Sequence, residues 1–276
     1  MKLINSILND NFSGSGMILF KTQEALLVMA QSDKDMDTSE LLKDLSLLKR
    51  QFPLFAVLHH FINEMEFFIQ QKGEIDGDEL IRRIENYRKQ WQNAQRKASE
   101  KILTGLSFER KNILLHSNSS VLQSLFAELA KRKIFPTIWQ TVSAPVNEGI
   151  LQAKVLNRLG FKVHLFHEVA ISKFVKQIDF ALFGADVVTD DFFMNKVGTY
   201  PLSLMMRQEN KPVFVLSEIR KHRTGEELNL MELLNEPPKP TEEISNDADG
   251  LTVHNYYFDA TPLSLIKQVF TESNPA

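Results

Sequence analysis

The chain has 276 residues and a mass of 31.7 kDa, enough for one large domain or two of ordinary size. Its 32 Lys and Arg stand against 35 Asp and Glu, a net charge of −3 that gives no overall electrostatic footprint for nucleic acid or an anionic membrane. Cysteine is absent, which excludes disulfides, thiolate metal sites, iron–sulfur clusters and every cysteine nucleophile.

The opening MKLINSILNDNF lacks a basic segment followed by an apolar one and a small-residue cleavage site, and no apolar run reaches the ~20 residues a membrane span needs. A cytoplasmic protein is expected. The pattern is helical up to about residue 105. Asn11-Phe12-Ser13-Gly14-Ser15-Gly16 precedes a helix over 17–31, and glycine-rich turns at helix starts either cradle phosphate or merely connect. Asp37-Thr38-Ser39-Glu40 reads as a capped start, with Leu41, Leu42, Leu45 and Leu48 as the apolar stripe and Phe52-Pro53 as the stop. The next segment, 54–69, is apolar on nearly all sides and therefore predicts a buried helix. Gly73 and Gly77 bracket a turn, and from Asp78 a long helix carries Ile81, Ile84, Tyr87, Trp91, Ala94, Ala98 and Ile102 at helical spacing. His60 and Glu64 lie one turn apart, as a metal pair would, but their apolar surroundings favour histidines satisfied inside a helical core.

After Gly105 the period changes. Short apolar runs at 112–115, 137–140, 163–166, 180–183 and 213–216 alternate with amphipathic segments such as 121–132 and 150–159. That alternation predicts βαβ units and a parallel sheet buried on both faces. The expected fold is therefore α/β: an N-terminal all-helical domain over 1–105, then a Rossmann-like parallel-sheet domain over 106–276. The proline-rich stretch from Asn235 into the acidic residues before Gly250 reads as an exposed loop.

In an open parallel sheet ligands sit at the carboxyl ends of the strands, and those ends are unusually polar here. The first strand runs into His116-Ser117-Asn118-Ser119-Ser120, where small hydroxyl residues either cap the following helix or present N–H groups to an anion. Ser143-Ala144-Pro145-Val146-Asn147-Glu148-Gly149 is a second loop entering a helix. Gly184-Ala185-Asp186 puts a carboxylate at a strand end, and Asn195-Lys196-Val197-Gly198-Thr199 supplies an amide, a cation suited to phosphate and a flexible step into a helix. No HExxH, Walker A or GxGxxG motif occurs, and no metal or cofactor is expected.

In their order these motifs, with Phe258-Asp259-Ala260-Thr261-Pro262 before an expected terminal helix, resemble one family. It comprises the alpha, beta and delta subunits of translation initiation factor 2B and the related isomerases of methylthioribose 1-phosphate and ribose 1,5-bisphosphate. The resemblance implies that Asp186 and the residue at 117 form the acid–base pair of the isomerases, and that Asn195 and Lys196 hold substrate hydroxyls and phosphate. His116, Ser119, Glu148, Gly14 and Gly16 complete the expected ligand-binding set.

The departures matter as much. Ser117 stands where the isomerases have cysteine, Ala144 where they have a phosphate-binding arginine, and Glu148 where they usually have glutamine. A serine hydroxyl ionises far above a thiol and needs an adjacent base. The resemblance thus implies a regulatory, alpha-subunit-like protein that binds a sugar phosphate or nucleotide monophosphate. An aldose–ketose isomerase using Asp186 and Ser117 and a pure interaction module are the alternatives. A homodimer paired through the α/β domain is expected, with neither nucleic acid nor membrane as partner.

Overall fold

The computed structural model describes residues 2–10, 13–32, 37–73, 75–223 and 239–273. Asn11, Phe12 and the start of the proline-rich stretch, 235–238, lie outside the described residues. The chain divides into two units, Met1–Ala94 and Gln95–Ala276. The division falls inside one long helix, whereas the expected boundary lies at that helix's end.

The first unit contains α1 (Lys2–Leu8), α2 (Ser15–Ser32), α3 (Thr38–Gln51), α4 (Ala56–Lys72) and the greater part of α5 (Gly77–Gly105). Asp37 caps α3, its side chain accepting from Ser39 N and Glu40 N, and the helix stops one residue short of Phe52-Pro53. Leu41, Leu45 and Leu48 are buried as the stripe requires. In α5 the buried stripe is Leu80, Ile84, Tyr87, Trp91, Ala94, Ala98 and Ile102, with Leu80 rather than Ile81 innermost in the first turn. The all-round apolar reading of α4 needs correction. Phe61, Ile62, Met65 and Ile69 are buried on one face, but Phe67 is 61% exposed on the other. His59 and His60 are each satisfied locally: His59 Nε2 lies 2.9 Å from Phe52 O, and His60 Nδ1 lies 3.2 Å from Tyr87 Oη. Glu64 pairs with Arg83.

The second unit is built on β1 (Asn112–Leu115), α6 (Ser120–Lys131), β2 (Thr137–Thr141), α7 (Gly149–Arg158), β3 (Val163–Phe166), β4 (Phe180–Phe183), β5 (Val187–Val188), β6 (Phe192–Lys196), α8 (Thr199–Gln208), β7 (Val213–Leu216), β8 (Phe258–Pro262) and β9 (Gln268–Phe270). Six strands form a parallel sheet in the order β3-β2-β1-β4-β7-β9. Period-2 alternation explains the unbroken apolar runs. Ile113, Leu115, Phe180, Leu182, Phe214 and Leu216 pack on one face with Leu122, Leu125 and Leu156 of α6 and α7. Leu114, Ala181, Phe183, Val213 and Val215 pack on the other face with Leu202 and Met206 of α8. Packing on both faces keeps the central strands β1, β4 and β7 almost wholly apolar.

Two features depart from expectation. The segment containing Asn195 and Lys196 is a strand, β6, central in a separate antiparallel sheet ordered β5-β6-β8. Among the described residues no terminal helix follows Pro262. A single 3-10 turn at Leu263–Leu265 leads instead into β9, which pairs with β7 through Phe214–Gln268, Val215–Val269 and Leu216–Phe270. The open edge of β7 and a short Val-Phe run favour a strand there, and Phe270 completes the core.

Candidate functional site

The strand order reverses beside β1: the chain first moves outward from β1 to β3, then returns to lay β4 on the other flank. Such a switch point leaves a crevice between two strand ends. The strand ends that flank the switch point here are Ser117–Ser120 after β1 and Gly184–Asp186 after β4. The two ends meet closely, because a Cβ on Gly184 would lie 2.6 Å from Ser119 Oγ.

Ser117 has φ 68°, a left-handed conformation that non-glycine residues rarely adopt. The surrounding contacts hold it there. Ser117 N donates to Ser143 Oγ at 2.7 Å, Gln140 Nε2 donates to Ser117 O at 3.2 Å, and Ser117 Oγ donates to Glu148 Oε1 at 3.0 Å. Together these three contacts hold a backbone conformation that serine would otherwise rarely keep. Glu148 Oε2 lies 3.2 Å from Lys196 Nζ as an ion pair, and that ammonium sits 4.6 Å from the centre of the Tyr257 ring. Burial pushes the Glu148 carboxyl above the usual range, against the pull of Lys196 and Ser117.

His116 is fully buried, with Nδ1 2.6 Å from Thr141 Oγ1 and Nε2 3.0 Å from Val197 O. A carbonyl only accepts, so the network assigns the ring proton to Nε2 and makes Nδ1 the acceptor. The donors then run in one direction: Ser117 N–H to Ser143 Oγ, Ser143 to Thr141 Oγ1 at 2.9 Å, Thr141 to His116, and His116 to Val197 O. Burial drives the His116 pKa down to about 4, outweighing the opposite pull of Glu168, so the ring is neutral. Both its nitrogens hold the framework, tying β1 and β2 to the segment after β6.

Gln152 extends this framework by accepting from Ser119 N at 2.8 Å and donating to Gln140 Oε1 at 3.1 Å. Ser119 stands at the N-cap of α6, yet its hydroxyl makes no cap bond, so plain capping does not account for it. Gly149 lets α7 start against the framework; a Cβ there would lie 2.1 Å from Thr141 O.

Two carboxylates, both missed in the sequence as site-building residues, close the loops. Glu168 accepts from Ser143 N at 3.2 Å and from Ala144 N at 2.7 Å. Asp259 accepts from Gly198 N at 2.9 Å and Tyr200 N at 3.1 Å at the start of α8, and burial pushes its pKa up to about 6. Asn195 Nδ2 donates to Thr199 Oγ1 at 3.0 Å, which fixes the same turn. The structure thus gathers His116, Ser117, Ser119, Glu148, Asp186, Asn195 and Lys196 at one end of the α/β unit. Gly14 and Gly16 belong to the helical unit. Gln140, Thr141 and Gln152 had one available signal, a polar side chain within an otherwise apolar strand or helix face; Glu168 had none. Among the described residues no group of three His, Asp or Glu side chains is placed to hold a metal ion, and no helix is long and apolar enough to cross a membrane.

The model of the Initiation factor 2 subunit family matches residues 12–273. The chain belongs to that family. Its relatives include a Pyrococcus furiosus protein named for likeness to translation initiation factor eIF-2B subunit 2, 27% identical over 99% of this chain and 94% of that one. The ribose 1,5-bisphosphate isomerase of Archaeoglobus fulgidus is also 27% identical, over 94% of this chain and 83% of its own. Among solved structures, the Pyrococcus horikoshii eIF-2B protein superposes with a TM-score of 0.79 at 20% identity, covering 98% of this chain and 94% of that one. The 5-methylthioribose 1-phosphate isomerase of the same organism gives a TM-score of 0.77 at 22% identity, covering 98% and 82%. Family membership therefore joins this chain to eIF-2B-like proteins and sugar-phosphate isomerases alike.

Proposed function

We propose that this family member binds a small phosphorylated ligand, a sugar phosphate or nucleotide monophosphate, in the crevice between β1 and β4 and does not isomerise it. The observation that carries this reading is the engagement of Ser117. Its hydroxyl, standing where the isomerases it resembles have a thiol, is held by Glu148, and the chain has no cysteine to replace it. Asp186 would then face the ligand opposite a serine hydroxyl, which ionises far above the thiol that the isomerases have there. The same contact favours one second reading. A buried carboxylate with a raised pKa is the adjacent base that a serine needs, so Glu148 and Ser117 together with Asp186 would serve an isomerase.

Calorimetric titration with ribose 1,5-bisphosphate, methylthioribose 1-phosphate and AMP tests the binding claim. Saturable binding of at least one supports it, and no heat from any of the three overturns it. If binding occurs, Asp186→Asn is expected to weaken it without abolishing any turnover, because there is none to lose.

A further inference from the structure

The whole-chain charge argues against a nucleic-acid partner, but it averages over two unlike edges of the α/β unit. The crevice lies at the carboxyl ends of the strands. At the amino ends, the three neighbouring strands β3, β2 and β1 are each entered through a basic loop. Glu109-Arg110-Lys111 leads into β1, Lys131-Arg132-Lys133 leads from α6 toward β2, and Arg158 and Lys162 flank the turn from α7 into β3. Backbone bonds hold these loops side by side. Thr137 N donates to Lys111 O and Ile138 N to Lys162 O, each at 2.8 Å, so Lys111 and Lys162 flank the start of β2, their backbones ~10 Å apart.

Seven cations against three carboxylates (Glu109, Glu128 and Asp179) leave +4 on this edge, so the remaining residues carry −7 to make the total of −3. Two of those carboxylates form exposed pairs: Asp179 lies 3.7 Å from Lys111, and Glu128 lies 2.9 Å from Arg132 and 3.7 Å from Lys131. Among the described residues Arg110, Lys133, Arg158 and Lys162 pair with no carboxylate, and all four are exposed. Cations at helix ends complement the helix dipole, which accounts for Lys131, Arg132 and Arg158. It does not account for Arg110, Lys133 and Lys162, which stand outside helices. Nor does it account for Phe135, in the middle of the basic loops and 49% exposed. The Phe135 ring centre lies 5.3 Å from that of buried Phe161, which fixes the ring against the core while about half of the residue meets solvent. Unpaired cations around a fixed, exposed aromatic ring suit a chain of phosphates carrying stackable bases.

We infer that this edge binds a single-stranded nucleic acid, its phosphates on Arg110, Lys133, Arg158 and Lys162 and a base stacked on Phe135. The surface lies on the opposite edge of the sheet from the crevice and is independent of what the crevice holds.

The test is fluorescence anisotropy of the full chain with a labelled oligouridylate of about twelve nucleotides, at ~50 and ~200 mM salt. Saturable binding is expected, weakening about fifty-fold between the two salts, as four phosphate contacts require. The double variant Lys133→Gln, Lys162→Gln is expected to bind more weakly and to flatten that loss to about sevenfold. Phe135→Ala should bind at least about fivefold more weakly at both salts, with the salt dependence unchanged. A control pair on the helical unit, Lys89→Gln with Lys97→Gln, should bind as wild type does. The absence of saturable binding at the lower salt overturns the inference, as does wild-type affinity in the double variant. A duplex of equal length that binds as tightly overturns the single-strand assignment, and capture by phosphatidylserine vesicles without oligonucleotide binding overturns the choice of partner. Should Phe135→Ala fail to fold, the double variant decides, because its two side chains are exposed and its melting temperature is expected to match wild type.

Discussion

His116 carries its ring neutral in a fully buried position, and its acid–base behaviour follows from that placement. The folded pKa is about 4, against 6.5 in the ordinary state. As pH falls below 6.5 the unfolded chain takes up a proton that the folded chain refuses. The stability contributed by neutral His116 is therefore complete above pH 6.5 and is lost as pH falls toward 4, about 3 kcal/mol in all. Asp259 acts with the opposite sign. Its folded pKa of about 6 exceeds the ordinary 3.8, so the folded state holds the proton between those values and its contribution fades as pH rises through 6. The two slopes oppose one another between about pH 4 and 6. Urea midpoints are expected to vary little there in wild type and to fall steeply with acid in Asp259→Asn. Equal pH profiles for the two proteins would contradict the assignment. Glu148→Gln is expected to lower the melting temperature, because it removes the carboxylate charge paired with the buried Lys196, and phosphorylated ligand should restore part of the loss; a variant as stable as wild type without ligand would mean the pair carries little weight.

Ser117 and Gly149 show how far the elements depend on single backbone positions. The left-handed turn joining β1 to α6 makes Ser117→Gly at least as stable as Ser117→Ala: both lose the bond to Glu148, worth about 1 kcal/mol, but glycine also relieves the strain. Thermal melts of the two variants check this, and alanine proving the more stable would contradict it. Gly149→Ala drives a Cβ into the Thr141 carbonyl, and a loss of about 3 kcal/mol or more is expected, whereas Gly14→Ala, with nothing within 4 Å, should cost far less. The five strands β1 to β4 and β7 were legible because each is a short, largely apolar run of four or five residues between polar turns. β6 and β8 were not, since their residues entered only as motifs leading into helices, and the two strands pair with each other across a long sequence separation. Glu168 left no pattern at all. Its partners, the N–H groups of Ser143 and Ala144, come from strand order, which local spacing does not encode.

At the scale of the whole molecule, two units share the α5 helix, and the polar framework sits at one end of the second. The motif residues around the crevice were readable because they cluster at strand ends, where the parallel sheet leaves polar groups without core to fill. The family contains both isomerase-named and initiation-factor-named members, so membership leaves the chemistry to the residues at 117, 144 and 148. A homodimer is predicted, twice the 31.7 kDa chain mass by light scattering; a single chain mass at working concentration would contradict it. The central claim, binding without turnover, is tested most directly by phosphorus NMR of the protein with ribose 1,5-bisphosphate and, separately, methylthioribose 1-phosphate. The account predicts shifted or broadened substrate resonances and no ketose phosphate after prolonged incubation. Resonances of the ketose product would contradict it and establish Ser117 and Glu148 as working in place of the thiol.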